Sequence, residues 1–212
     1  MNIEYTPGTA GINRRSFIVA GGLGAALASG VLWSSAPYGR ADEQVQEAAL
    51  TIELGPASGT GSTAKAAFNA ALTALGVNDA NLIHLSSVIP PRATVQRVER
   101  VRKQIPWGDR LYCVYAVHYA SDAGKRAAAG LGWILRDDGS GAGLFVEHVA
   151  ETAKEVEQLI RSSLADMVRD RPETFGPVQL CTSEVRSEGT PACALVLAAY
   201  STTPWEPSGT GH

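Results

Sequence analysis

The sequence predicts an α+β fold, a layered α/β/β/α-type sandwich of mainly antiparallel sheets with two main helices. Three observations predict it. Apolar runs of strand composition outnumber every other pattern after residue 49. Only two stretches repeat their apolar residues at helical spacing. The composition, 45% hydrophobic and 18% charged over 212 residues, suits one packed core, against which both helical stripes must be buried.

The elements follow in order. Residues 1–41 stand apart: Arg14 and Arg15 precede an uncharged apolar stretch from Phe17 to Trp33, and Gly39-Arg40-Ala41 is a small-x-small site. The stretch is short for a membrane span, so no stable membrane anchor is expected. The layout is that of a removable twin-arginine export signal, with a retained cytoplasmic extension as the alternative. Residues 42–200 are expected to form the domain. Ala49 to Gly55 reads as a strand and "PASGTGST" as a loop, with Ser62 or Thr63 as N-cap of a helix. Ala67, Phe68, Ala71, Leu72 and Leu75 mark that helix's apolar face, and Gly76 ends it.

"NLIHLSS" is the next strand, closed by Pro90-Pro91, which cannot donate to a ladder. Strands are expected at Leu111 to Tyr119, Gly130 to Arg136 and Gly143 to Val149. Val156, Leu159, Ile160, Leu164 and Met167 define a helix over Thr152 to Val168. Val178 to Val185 and Ala192 to Tyr200 complete the strands, and residues 201–212 read as a loose tail.

Several chemistries are excluded early. A formal net charge of −3 gives no general attraction to nucleic acid or anionic membranes, and the cluster Arg97, Arg100, Arg102 and Lys103 reads as a solvated face. Cys113, Cys181 and Cys193 form no C-x-x-C pair, and the four histidines show no metal-ligand spacing, so no metal site is expected. Gly59-x-Gly61 lacks the rest of either nucleotide fingerprint. No G-x-S-x-G surrounds Ser86 or Ser87 and no S-x-x-K follows, so a serine hydrolase has no triad pattern behind it.

Two serines at a strand end are ordinarily turn residues. The peptide bond between them allows another chemistry. If the backbone at Ser86 is strained, the Ser87 hydroxyl can attack the preceding carbonyl and form an ester. β-Elimination then cuts the chain, and hydrolysis of the resulting dehydroalanine leaves a pyruvoyl cap at position 87. Such a ketone forms a Schiff base with an amine and draws electrons from it.

The run "AFNAALTALGVNDANLIHLSSVIPP", residues 67–91, resembles the pyruvoyl-dependent arginine decarboxylases, with their Ala-Phe-Asp-x-Ala-Leu helix and Asn-Leu-x-x-x-Ser-Ser-x-x-Pro-Pro core. "IPWGD" and "GLFVEH" resemble two later segments of that family, so the likeness spans about residues 49–200. The resemblance implies cleavage between Ser86 and Ser87 and a covalently bound pyruvoyl group derived from Ser87. It implies that Asn81 holds the scissile carbonyl and that Glu147 returns a proton after carbon dioxide leaves. Asn69 and Leu72 would face the substrate, although Leu72 fits the core better. His84 shares a face with Ser86 and is read as a packed strand histidine outside the catalytic set. The resemblance further implies conversion of L-arginine to agmatine, a route towards polyamines, by a trimer of cleaved αβ units.

One residue departs from the pattern. Asn69 stands where the family carries the aspartate that meets the guanidinium, and an amide cannot supply that ion pair. It feeds two alternatives: a decarboxylase for another amino acid, and an unprocessed binding protein of the same fold.

Overall fold

The computed structural model describes residues 49–205, so the export signal expected over 1–41 lies outside the described residues. The strands are β1 (Thr51–Thr60), β2 (Asn81–His84), β3 (Val88–Ile89), β4 (Thr94–Arg97), β5 (Arg110–Ala120), β6 (Arg126–Leu135), β7 (Gly143–Ala150), β8 (Gln179–Arg186) and β9 (Ala192–Thr203). The helices are α1 (Ala64–Leu75) and α2 (Ala153–Val168). One sheet has the order β2-β5-β9-β1-β4 and the other β3-β7-β6-β8. Pairing is antiparallel except for β1 with β4 and β2 with β5, so the expected α+β layering is present.

Both helices are positioned by their ends and one apolar face. Thr63 caps α1 through its side chain, and Gly76 closes it with φ 84°. Thr152 and Glu155 form a reciprocal capping box on α2. Ala67, Ala71, Leu72 and Leu75 of α1 pack on Leu111, Cys113, Leu195 and Leu197 of the first sheet. Val156, Ile160 and Leu164 of α2 cover the outer face of the second. Between the sheets lie Ile52, Leu54, Val114 and Val196, against Leu131, Trp133 and Phe145. The run Ala192–Tyr200 is buried throughout because β9 faces α1 on one side and the second sheet on the other.

A Cβ built on Gly132 would overlap the Ile160 side chain, so this glycine lets α2 lie close to β6. Gly132→Val is expected to lower the melting temperature by several degrees, equivalent to about 1–3 kcal/mol of overpacking. Calorimetry of purified protein checks this.

Two expectations are corrected and one is extended. The loop foreseen over "PASGTGST" is largely strand: β1 continues to Thr60, pairing Pro56–Thr60 with Val196–Ala192. A Cβ on Gly59 would overlap the α1 backbone at Ala67 and Ala71, so that glycine serves helix packing. The basic cluster is tethered as well as solvated. Arg100 donates to Thr73 O at 2.8 Å and Ala74 O at 3.1 Å at the end of α1. Arg97 lies over the Trp133 ring at 5.4 Å, and the Arg102 and Lys103 N–H groups donate to buried Glu53 at 2.8 and 3.2 Å. Third, the chain past Tyr200 begins as ordered strand: β9 runs to Thr203, and Trp205 Nε1 donates to Gly108 O at 2.7 Å.

Candidate active site

The two sheets exchange the chain at one edge. β2 ends an edge of the first sheet and β3 an edge of the second, so Leu85, Ser86 and Ser87 form the crossing between them. Backbone hydrogen bonds hold both sides of it. Leu85 N donates to Cys113 O at 2.9 Å, continuing β2, and Phe145 N donates to Ser87 O at 2.8 Å, starting the pairing with β7. Tyr200, 5% exposed, donates its hydroxyl to Val88 O at 3.0 Å. Thus anchored, the turn is tight enough to put Ser87 at φ 66°, a left-handed conformation that costs a side-chain-bearing residue about 1–2 kcal/mol. The strain expected at Ser86 therefore sits one residue later, on the residue whose hydroxyl would attack.

Side chains from both sheets converge there. Glu147 lies two residues after Phe145 on β7 and shares its face, which turns inward between the sheets. The Ser87 hydroxyl donates to Glu147 Oε1 at 2.6 Å. His84 Nε2 lies 3.4 Å from the same oxygen, and its ring stacks on Tyr115 with centroids 4.7 Å apart. His84 was expected to be a packed strand histidine outside the catalytic set; instead its side chain is 47% exposed and belongs to the cluster. Glu147 is 26% exposed, half-buried at the mouth of the gap.

The remaining groups nearby are held in their neutral forms. Burial, and then the charge of Glu147, push the Tyr200 phenol up, so it remains a donor to the backbone. Burial pushes the Cys113 thiol up to about 12, which leaves it no thiolate nucleophile. Among the described residues no group of His, Cys, Asp and Glu is arranged to hold a metal ion.

The other candidates fall elsewhere. Asn81 starts β2, and its side-chain amide donates to Gly108 O at 2.6 Å. It is thus about 10 Å along the strand from His84, and the structure does not bring it to the Ser86–Ser87 bond within one chain. Leu72 is 7% exposed and packs in the core beneath α1, the place that suits it better than the substrate pocket. Asn69 is exposed on α1, next to Phe68, whose ring lies 6.3 Å from that of Tyr115. A line of rings, Phe68, Tyr115 and His84, therefore runs from α1 to Glu147.

Reasoning from sequence missed Tyr200 and Tyr115. Both are ordinary strand aromatics whose relevance comes only from cross-sheet contact. His84 carried one usable signal, its alternation with Ser86.

Comparison with known proteins bears on this arrangement. The family described as pyruvoyl-dependent arginine decarboxylase matches residues 51–204. A protein named pyruvoyl-dependent arginine decarboxylase from Thermococcus kodakarensis is 32% identical over 145 residues, 68% of this chain and 90% of that relative. One of the same name from Halobacterium salinarum is 37% identical over 153 residues, 70% and 92% of the two chains. Another, from Methanococcus vannielii, is 28% identical over 154 residues, 72% and 91%.

Proposed function

The chain belongs to the pyruvoyl-dependent arginine decarboxylase family, and from that premise we propose that it cuts itself between Ser86 and Ser87 and decarboxylates L-arginine to agmatine. It is a lyase with a covalently bound pyruvoyl group. One observation carries the assignment to these residues: Ser87, at φ 66° in the crossing between sheets, donates its hydroxyl to Glu147 at 2.6 Å.

The residues present fit the group. Glu147 accepts the Ser87 hydroxyl proton, which prepares the oxygen for attack on the Ser86 carbonyl. The new C–O bond replaces the C–N bond, and the nitrogen takes a proton. Loss of the Ser87 α-proton then breaks the Cβ–O bond and frees the Ser86 carboxylate. Hydrolysis consumes one water and releases ammonia. Relief of the left-handed backbone at Ser87 favours the cut.

The pyruvoyl group held at position 87 would supply an electron-accepting carbonyl for the substrate amine and for the electron pair that carbon dioxide leaves behind. Glu147 stands 2.6 Å from the Ser87 hydroxyl, where its carboxyl can hold the proton that replaces carbon dioxide on the substrate's α-carbon. Tyr200 fixes the backbone at Val88 through its 3.0 Å hydrogen bond and so steadies the new terminus. The Pro90-Pro91 pair stiffens the segment beyond it.

Asn69 is proposed as a neutral guanidinium contact in place of an ion pair. Asn69→Asp is expected to lower KM for arginine about tenfold or more, since a charge-assisted hydrogen bond contributes about 1.5–3 kcal/mol. Steady-state assays of arginine against lysine and ornithine check it. Faster turnover of another amino acid by the native chain would reassign the substrate.

Assembly into a trimer of cleaved αβ units is part of the proposal. The exposure of the apolar Val88 side chain (57%) in a single chain supports a partner beside this edge. Export through Arg14-Arg15 is proposed on the residue pattern alone, and fractionation of cells carrying lysine at both positions tests it.

The deciding experiment is a denaturing gel with carbonyl trapping and an arginine-dependent assay for carbon dioxide. Two fragments are expected, split after Ser86, the larger with a blocked, carbonyl-reactive terminus. A single inactive chain would favour the unprocessed binding protein.

A further inference from the structure

Resting on the decarboxylase reading, we propose that His84 is a positioning residue for the reaction, steadying the Glu147 carboxyl and returning a proton to it from solvent after each turnover. The geometry has three parts. His84 Nε2 lies 3.4 Å from Glu147 Oε1, the same oxygen that accepts the Ser87 hydroxyl at 2.6 Å. The imidazole is held face to face on Tyr115, 4.7 Å between centroids and 27° between planes. Its side chain is 47% exposed against 26% for Glu147, so water reaches the ring more freely than the carboxyl.

Three neighbouring titratable groups do not share this position. Cys113, its register partner on β5, is buried with its thiol pushed up to about 12. Tyr115 is the ring beneath it. Tyr200 on β9 is buried, commits its hydroxyl to Val88 O, and is raised further by Glu147 itself. His84 both contacts Glu147 and reaches solvent. Position 84 also falls on a free place in Asn-Leu-x-x-x-Ser-Ser, so the motif itself assigns no role there.

The proton count closes. Carbon dioxide leaves without the electron pair of the broken bond, and that pair takes the Glu147 proton to form the new C–H bond at the α-carbon. Glu147 is left as carboxylate. The protonated imidazole passes its proton to Oε1 and takes another from water. One proton is consumed for each carbon dioxide released.

The test compares native protein with His84→Ala and His84→Gln, with turnover expressed per reactive carbonyl so that slow cleavage does not obscure it. Both variants are expected to lose about 10- to 100-fold in kcat, with KM for arginine changed less than about twofold. Free imidazole at about 50 mM should restore most of the His84→Ala loss and should not help His84→Gln, whose side chain fills the space. An unchanged kcat overturns the proposal. So does a loss that imidazole leaves untouched, or a His84→Ala chain that forms no carbonyl with or without imidazole, because His84 would then be needed for shape alone. In uncleavable Ser87→Ala protein, the His84 imidazole resonances should move when Glu147→Gln is added; resonances that stay in place sink the contact itself. Native protein that neither cleaves nor releases carbon dioxide from arginine overturns the decarboxylase reading, and this proposal with it.

Discussion

Ser87→Ala is expected to run as one uncut chain with no trappable carbonyl and no arginine-dependent carbon dioxide. The hydroxyl removed is the nucleophile of the acyl shift, and no neighbour can replace it. Ser86 itself carries the carbonyl under attack, and the nearby Cys113 thiol is buried and pushed up to about 12. The variant should fold, because Phe145 N donates to the backbone oxygen of residue 87 and Tyr200 to that of Val88, neither to the lost side chain. It keeps the left-handed backbone, so alanine should cost little beyond the native strain. A cut Ser87→Ala chain with decarboxylase activity would remove the electrophile from this scheme altogether. Ser87→Cys is the informative companion: a thiol can make the same shift through a thioester, so slow, partial cleavage is expected.

Glu147→Gln should lower kcat by about 10²–10⁴-fold, the range over which a positioned acid acts, with a smaller change in KM. Glutamine keeps the shape and can still accept from Ser87, so the fold and the 2.6 Å contact have a neutral substitute. It has no proton of suitable acidity to give. Cleavage should slow as well, since the same oxygen takes the Ser87 proton, and turnover must again be counted per carbonyl. A variant that decarboxylates at the native rate would transfer the acid role to another group.

How much of this was legible beforehand follows from the physics of each element. Both helices could be read because their apolar residues repeat with the helical period and their caps are local. β5, β6, β7 and β9 could be read because they are long and buried. β3 and β4 could not. They span two and four residues at sheet edges, and their ladders rather than their composition make them strands. The far half of β1 was misread because Pro, Ser and Gly signal turns, whereas here small residues let α1 approach.

The site divides in the same way. Ser86, Ser87 and Glu147 were legible through a motif. The hydrogen bond between Ser87 and Glu147 spans 60 positions and depends on sheet order, which no local pattern encodes. His84 announced its face without announcing its partner. Asn81 shows the converse: its motif role was stated, yet within one chain its amide is committed to Gly108 at 2.6 Å.

The placement of β1 has a consequence of its own. It lies between β9 and β4, inside the first sheet, while the proposed cut separates it covalently from both of them. After maturation the sheet is a complex of two polypeptides, and native pairing becomes a second-order encounter. Heated enzyme that is cooled again should recover less well the more dilute it is, whereas the Ser87→Ala precursor should recover independently of dilution. Maturation would thus exchange a reversible fold for one whose persistence rests on slow separation of the pieces.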